Sequence, residues 1–189
     1  MKYLDQYKEI HSKKKYGVSG DRLVDKLYQV INPESESLLD YGAGQANTAR
    51  ELGKRAGLDR LNVDVYDPAV VGRDKLPSGG FDTVICTDVL EHVPEEELNQ
   101  VLTDIWGYAK REAIFVIALR LAGEILPNGE NAHCTVHPRE WWYEKLRSVF
   151  TEVVDIPSFE DKYSIAGFKC TKEAVEWVLL ILDFHDILR

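Results

Sequence analysis

The stretch that decides the fold is LLDYGAGQ at residues 38–45. Leu38 and Leu39 follow a polar, loop-like run, and a helical pattern begins near Ala46. This order predicts a buried strand, a tight Gly-x-Gly turn and a helix in direct succession. Glycines let the backbone of such a turn approach a ligand closely, and the carboxyl ends of strands in an open α/β sheet border the crevice where ligands bind. The stretch therefore predicts a site of nucleotide size.

The spacing of the glycines indicates which nucleotide the turn suits. The dinucleotide fingerprint Gly-x-Gly-x-x-Gly places a third glycine where this chain has Asn47, which opposes an NAD-dependent oxidoreductase. Asp40 stands two residues before Gly42, and Asp-x-Gly-x-Gly at the end of a first strand resembles motif I of class I S-adenosylmethionine-dependent methyltransferases. A carboxylate there suits S-adenosylmethionine, which carries an α-ammonium group that NAD lacks. Taken alone, the turn favours a structural strand-to-helix connection, so further motifs have to decide.

A second motif covers residues 81–94. It begins as Phe-Asp-x-Val and ends as Asp-Val-Leu-Glu-His-Val-Pro, which closely resembles the fourth-strand region of many small class I methyltransferases. Pro94 and the three glutamates after it favour a helix start, because proline suits the first turn and carboxylates oppose the helix dipole. This helix is predicted to reach about Ala109 and to bury Leu98, Val101, Leu102 and Ile105. The two motifs, in the order of that family, extend the resemblance over about residues 38–170.

The segment between the two motifs departs from the family. The predicted second strand at 61–66 alternates apolar and polar residues, whereas a parallel strand covered on both faces is apolar throughout. Asp67 follows that strand, and only residues 68–80 separate Asp67 from the next strand, whereas a crossover with its helix alone needs about 10–12 residues. The family has a helix–strand–helix passage there. We therefore expect a shortened third-strand region and a second strand at or near the sheet edge.

The resemblance implies an α/β, Rossmann-like methyltransferase fold with a mostly parallel, twisted sheet. The apolar run at 113–119 predicts a central strand, and segments 152–156 and 163–170 predict an antiparallel terminal pair. A helix is predicted at 138–149 in the connection between them.

The chain is predicted to form a single domain. Its parts are an N-terminal helical arm at 1–35, a Rossmann-like core at 36–170 and an extra C-terminal helix at 171–189. Tyr3, Tyr7 and His11 share one face of the arm, which either packs on the domain or contributes to the site. The last helix is apolar on all sides near its middle, so it is predicted to be buried on its own domain or in a homodimer.

Length and composition narrow the class of protein. At 189 residues, with 44% hydrophobic and 29% charged residues, the chain has the size and composition of one globular domain. It has no run of 18 apolar residues and no charged-then-apolar leader, so we expect a cytoplasmic protein with no membrane partner. Three widely separated cysteines fit reduced thiols better than disulfides. The net charge of −9 opposes a nucleic-acid partner.

The resemblance also implies which residues bind the cofactor. Asp40, Gly42 and Gly44 match motif I and are expected to line the methionine end of S-adenosylmethionine. Ala43 and Gln45 lie in the same turn and are expected to contribute to the same site.

Two further acids are assigned to the cofactor. Asp67 ends the second strand, where the family places a carboxylate that accepts both ribose hydroxyls, and a carboxylate suits a diol because it has acceptor oxygens and no competing donor. Asp64 is the rival, but it lies in the middle of the strand. Asp88 matches the position that flanks cofactor and substrate. The adenine contacts are assigned only to candidates in the shortened segment: Asp74, Lys75 and Leu76.

Three histidines are candidate catalytic residues. Methyl transfer is an in-line displacement, and a base is needed only when the nucleophile carries a proton. His92 is a natural base, since the pKa of free histidine lies near neutral pH, although Glu91-His92 is also compatible with a purely structural turn. His133 and His137 lie on the connection after the central strand predicted at 113–119, where this family usually recognises substrate.

A metal is an alternative for the same region. The pattern Asp88-x-x-Glu91-His92 resembles the carboxylate-x-x-Glu-His pattern of metal-dependent 2′-O-methyltransferases that act on small-RNA 3′ ends. Those enzymes have further ligands downstream, and here His133 and His137 follow at a spacing that puts both rings on one side of a strand or a helix. The Glu-His pair is also widespread among family members without a metal. No metal ligand is therefore assigned, and a divalent ion near these five residues stays an open alternative.

The function expected from these motifs is S-adenosylmethionine-dependent transfer of a methyl group to an oxygen or nitrogen of a small-molecule acceptor. A small acceptor is favoured because the chain has no separate recognition domain and a negative net charge. Two alternatives stay open: a non-catalytic S-adenosylmethionine-binding interaction protein and a metal-assisted RNA 2′-O-methyltransferase.

Overall fold

A six-stranded sheet forms the centre of the computed structural model, which describes residues 3–13, 22–55, 61–159 and 164–172. Its strands are β1 (Ser37–Tyr41), β2 (Asn62–Tyr66), β3 (Phe81–Thr87), β4 (Ala109–Ala118), β5 (Glu152–Asp155) and β6 (Ile165–Thr171). The strand order is β2-β1-β3-β4-β6-β5. The first four strands in this order are parallel, and β6 is antiparallel to both of its neighbours. The predicted Rossmann-like, mostly parallel sheet with an antiparallel terminal pair is confirmed.

Helices cover both faces of the sheet. They are α1 (Leu4–Lys13), α2 (Val24–Val30), α3 (Asn47–Leu52), α4 (Leu98–Tyr108) and α5 (Arg139–Arg147). On one face Leu39 packs with residues of α4 and α5, and on the other its neighbour Leu38 packs with residues of α2 and α3. Because both faces are buried, the inner strands are apolar without alternation.

The shortened third-strand region is confirmed. Residues 67–80, all of which the structure describes, form turns with no helix or strand. The chain passes from β2 into β3 through these turns, and β2 lies at the edge of the sheet. Its alternating burial follows from that position, because an edge strand has one less neighbour to cover it.

Helix α1 lies outside the two main layers. Tyr3, Tyr7 and Ile10 are buried in a small cluster with Ala69 and Leu126, which belong to loops after β2 and β4. The arm therefore packs on the domain, at the end of the sheet where the parallel strands finish.

From residue 173 onward the predicted C-terminal helix lies outside the described residues. The homodimer predicted through this helix therefore stays a prediction. Thr171, predicted to open that helix, ends β6. Among the residues that the structure describes, no helix has the length and apolar character needed to cross a membrane.

Candidate cofactor and active site

A cavity of about 380 Å³ opens at the carboxyl ends of β1, β3 and β4. The sheet order places β2 on one side of β1 and β3 on the other, which is the switch point where open α/β sheets bind ligands. The cavity wall includes the glycine turn after β1, the loops after β2, β3 and β4, and one face of α1, with Arg22 before α2 and Val101 of α4.

The glycine turn adopts a conformation that requires glycine at its start. Gly42 has φ 82°, and a Cβ built on it would lie 2.3 Å from Cγ2 of Val89. The amides of Gly42 and Ala43 both donate to the carbonyl of Tyr66, at 2.7 and 3.0 Å. These bonds tie the turn to the end of β2, so its backbone forms a rigid wall of the cavity.

Asp67 lies at the junction of the turn and β2. Its Oδ2 accepts the amide of Gly44 and its Oδ1 accepts the amide of Ala69, both at 2.8 Å. The side chain is buried yet borders the cavity. A carboxylate oxygen has two lone pairs, so each oxygen keeps one acceptor position beyond these bonds.

The rival acid of Asp67 and the adenine candidates near β2 lie outside the cavity. Asp64 is exposed on the edge strand and does not border the cavity. The three adenine candidates are also exposed and outside the cavity wall: Asp74, Lys75 and Leu76. Arg73, which was not among the predicted site residues, donates from Nη1 to the carbonyl of Gly44 at 2.9 Å. The only signal for it was a basic residue within a short connection.

Asp40 lies beneath the turn rather than in the cavity wall. Successive side chains of a strand point to opposite faces, and Tyr41 is the one that borders the cavity. The carboxyl of Asp40 accepts the amide of Ala49 in α3, and its Oδ2 has no hydrogen-bond partner among the described residues. Burial raises the pKa of Asp40 to about 7, and the charge of Asp67 adds to the rise. Ala43 and Gln45 are likewise outside the wall, whereas Gly42 and Gly44 are part of it.

Asp88 borders the cavity, as its predicted position requires, and it is held by a residue that sequence analysis missed. Its φ is 55°, and its amide donates to the carbonyl of Val116 at 2.8 Å. Both carboxylate oxygens accept Nη2 of Arg22, at 3.1 and 3.0 Å. This ion pair attaches the segment before α2 to the turn after β3.

Two of the three predicted histidines meet in the cavity. The rings of His92 and His133 contact edge to face with centroids 4.7 Å apart. Nδ1 of His92 lies 2.8 Å from the carbonyl oxygen of Ala132, and Nδ1 of His133 lies 2.5 Å from that of Arg120. A carbonyl oxygen only accepts, so each Nδ1 carries the proton and each Nε2 keeps its lone pair.

Both rings are neutral at neutral pH. Burial lowers the pKa of His92 to about 4, and the neighbouring His133 lowers it further. Burial also lowers the pKa of His133, against a hydrogen bond to the Arg120 carbonyl that raises it. His92 is therefore a weak base.

Glu91 is fully buried, and its Oε1 lies 4.0 Å from Nε2 of His133. Its Oε1 accepts the amide of Ala118 at 3.0 Å, which joins the turn after β3 to the end of β4. Burial raises the pKa of Glu91 to about 8, with the charge of Asp88 as the next cause. Glu91, His92 and His133 each offer one ligand atom within 4.8 Å of the others, so these three of the five predicted residues have the spacing of a metal site.

His137 lies outside the cavity. Its Nε2 is 3.0 Å from Oε2 of Glu95, and its ring stacks on Trp141 at 3.8 Å. The expected grouping of the His133 and His137 rings is not observed. The segment that carries them is irregular and is fixed in its middle by Thr135, whose hydroxyl donates to the carbonyl of Val93 at 2.7 Å. Helical spacing therefore does not apply to it.

Comparison with known proteins identifies related folds. The family model of the methyltransferase domain matches residues 16–173. No curated protein sequence is significantly similar to the chain. Among solved structures, an O-methyltransferase family protein from Burkholderia thailandensis has a TM-score of 0.62 at 13% identity, covering 84% of this chain and 57% of that one. This chain thus spans little more than half of that protein.

Two further structures match over most of both chains. Magnesium protoporphyrin IX methyltransferase from Synechocystis PCC 6803, with bound SAH, has a TM-score of 0.59 at 17% identity and covers 89% of this chain and 93% of that one. The 1,6-didemethyltoxoflavin-N1-methyltransferase of Burkholderia thailandensis was solved with bound 1,6-didemethyltoxoflavin and S-adenosylhomocysteine. It has a TM-score of 0.60 at 13% identity and covers 92% and 86%. At these identities the similarity establishes the fold.

Proposed function

Because the chain belongs to the methyltransferase-domain family, we propose that it transfers the methyl group of S-adenosylmethionine to an oxygen or nitrogen atom of a small-molecule acceptor. The cofactor, when bound, supplies an electrophilic methyl group on a cationic sulfur. The chain's own residues bind and orient the two reactants.

The residues around the glycine turn fit this cofactor. Asp67 offers one acceptor position on each carboxylate oxygen, which matches the two hydroxyls of a ribose. The backbone of Gly42 and Gly44 provides a wall without side chains, against which the methionine part fits. Asp67 gives this part of the wall a negative charge, which favours a cationic ligand, whereas the charge of Asp88 is balanced by Arg22. Two of the similar structures contain bound S-adenosylhomocysteine (SAH), which supports the same class of ligand here.

The volume and the lining of the cavity favour a small acceptor. Its volume of about 380 Å³ lies at the low end of the range of roughly 300–1,000 Å³ for ligand pockets, and the cofactor takes part of that space. Leu4 and Tyr7 of α1 cover one side, and Val93 and Val101 add apolar surface. A helix over the site also keeps bulk water from the reacting atoms.

His92 and His133 bind the proton-bearing group of the acceptor, and one of them accepts its proton. The neutral Nε2 atoms of His92 and His133 accept hydrogen bonds from an O–H or N–H group and orient its lone pair toward the methyl carbon. The new bond joins the acceptor atom to that carbon as the carbon–sulfur bond breaks, and the displaced proton passes to His133. Burial lowers the pKa of both rings, but we assign the base to His133 because the nearby charge of Asp88 raises its pKa, whereas His133 itself lowers the pKa of His92.

The observation that carries the proposal is the carboxylate of Asp67, buried against the glycine turn at the switch point of the sheet. The test is incubation of the protein with methyl-labelled S-adenosylmethionine and an acceptor mixture from a cell extract. We expect label in the small-molecule fraction, and less label with the Asp67→Ala variant. Label in no fraction, despite measured binding of S-adenosylhomocysteine, would contradict transfer and favour a non-catalytic binding protein.

A further inference from the structure

Tyr7 joins the N-terminal helix to the candidate catalytic histidine His92. Tyr7 of α1 borders the cavity, and its ring contacts that of His92 edge to face with centroids 5.4 Å apart. Two buried neighbours, Tyr3 just before α1 and Ile10 within it, belong to the cluster that holds the helix on the loops after β2 and β4. Packing thus brings the helix to the site, where Tyr7 contacts His92.

The hydroxyl of Tyr7 shares an acceptor with His92. It donates to the carbonyl oxygen of Ala132 at 2.6 Å, and Nδ1 of His92 lies 2.8 Å from the same oxygen. The hydroxyl oxygen and Nδ1 are 3.2 Å apart. A carbonyl oxygen has two lone pairs and accepts both donors, while the hydroxyl oxygen accepts a second contact from Nδ1–H. Three segments distant in sequence meet at this point: α1, the turn after β3 and the loop after β4.

This arrangement fixes two properties of His92. Two oxygen acceptors beside Nδ1 favour the tautomer with the proton on Nδ1, so Nε2 keeps its lone pair. The edge-to-face contact with Tyr7 on one side and with His133 on the other restricts rotation of the ring. Both properties concern the orientation of His92 rather than the binding of the cofactor at the glycine turn.

We propose that Tyr7 is a positioning residue, which holds His92 in its Nδ1–H tautomer and in its orientation toward the acceptor. The inference rests on the proposed function for its effect on rate, but the state of the imidazole is a separate observable. Tyr7 acts through His92 and has no chemical step of its own.

The test uses Tyr7→Phe, which keeps the aromatic ring and removes the hydroxyl. The nitrogen-15 spectrum of the histidine side chains, assigned with His92→Gln, reports the tautomer. We expect a single Nδ1–H form in the wild type and a minor tautomer raised about 2- to 10-fold in the variant, the value of one hydrogen bond. We expect kcat to fall by a similar factor while KM for S-adenosylmethionine is unchanged.

The control is Ile10→Val, which trims the packing of the same helix face and keeps both the ring and the hydroxyl of Tyr7. It should lower stability slightly and leave both the His92 spectrum and kcat unchanged. An unaltered His92 spectrum in Tyr7→Phe would overturn the proposal, and so would a change of the same size in Ile10→Val. If no acceptor is found, the spectrum still decides the positioning role, so failure of the proposed function and failure of this inference are distinguishable.

Discussion

Substitution of Gly42 by alanine tests the turn that forms the cavity wall. The new methyl group would lie 2.3 and 2.9 Å from the two Cγ atoms of Val89, and φ at this position is 82°. A left-handed conformation costs an L-residue roughly 1–2 kcal/mol, and overpacking costs about 1–3 kcal/mol more. Valine is stiff at χ1, so it cannot move aside cheaply. We expect Gly42→Ala to lower the free energy of unfolding by about 2–5 kcal/mol.

Substitutions at two other glycines separate the cost of the left-handed conformation from the cost of the contact with Val89. Gly79 has φ 87°, and a Cβ at this position would have nothing within 4 Å, so Gly79→Ala should show the conformational cost alone, about 1–2 kcal/mol. Gly107 lies in α4 with open space around it, so Gly107→Ala should be neutral or stabilising by up to about 1 kcal/mol. Urea unfolding followed by far-ultraviolet circular dichroism measures all three variants.

A double-mutant cycle with Val89→Ala isolates the contact itself. Removing the two Cγ atoms gives the new methyl group room, so the double variant should be less destabilised than the sum of the single variants by about 1–3 kcal/mol. Strict additivity, or a Gly42→Ala variant as stable as Gly79→Ala, would refute the assignment of Val89 as the steric limit of the turn.

Two further predictions concern ionisation and the histidines. Because the pKa of Asp40 is raised to about 7 in the folded protein from an ordinary 3.8, the folded state favours the protonated carboxyl; the stability this contributes is present at low pH and is lost as pH rises through 7. Asp40→Asn should remove that part of the pH dependence between pH 4 and 8 in urea unfolding, and an unchanged dependence would contradict the burial of the charge. His133→Ala should reduce methyl transfer to a proton-bearing acceptor by about 100-fold, the low end for a positioned base. His137→Ala should change it by less than about twofold, and equal losses in the two variants would reject the placement of His137 outside the site.

The patterns of apolar and polar residues within short segments of the sequence predicted the fold well. Leu38 and Leu39 are buried on opposite faces, as expected of a central parallel strand, and the short segment after Asp67 correctly placed β2 at the sheet edge. These inferences needed only strand alternation and the minimum length of a crossover. The shared position of strand ends then brought Gly42 and Asp67 to one cavity.

Contacts between distant segments were not predictable in the same way. Arg22 and Arg73 reach the site because loops cross near the strand ends, and nothing local in the sequence marks that crossing. Asp40 was assigned to the cavity from its place in the motif, but strand alternation points it toward α3. His137 followed a helical spacing rule that does not hold in an irregular segment.

The proposed cofactor site depends most on Asp67 as the acceptor for the ribose. Calorimetric titration with S-adenosylhomocysteine of the wild type, Asp67→Ala and Asp64→Ala tests it directly. Hydrogen bonds to a charged group contribute about 1.5–3 kcal/mol, so Asp67→Ala should weaken binding by about 10- to 100-fold, while Asp64→Ala, on the exposed edge of the same strand, should bind as the wild type does. Equal affinity in the wild type and Asp67→Ala would contradict the account.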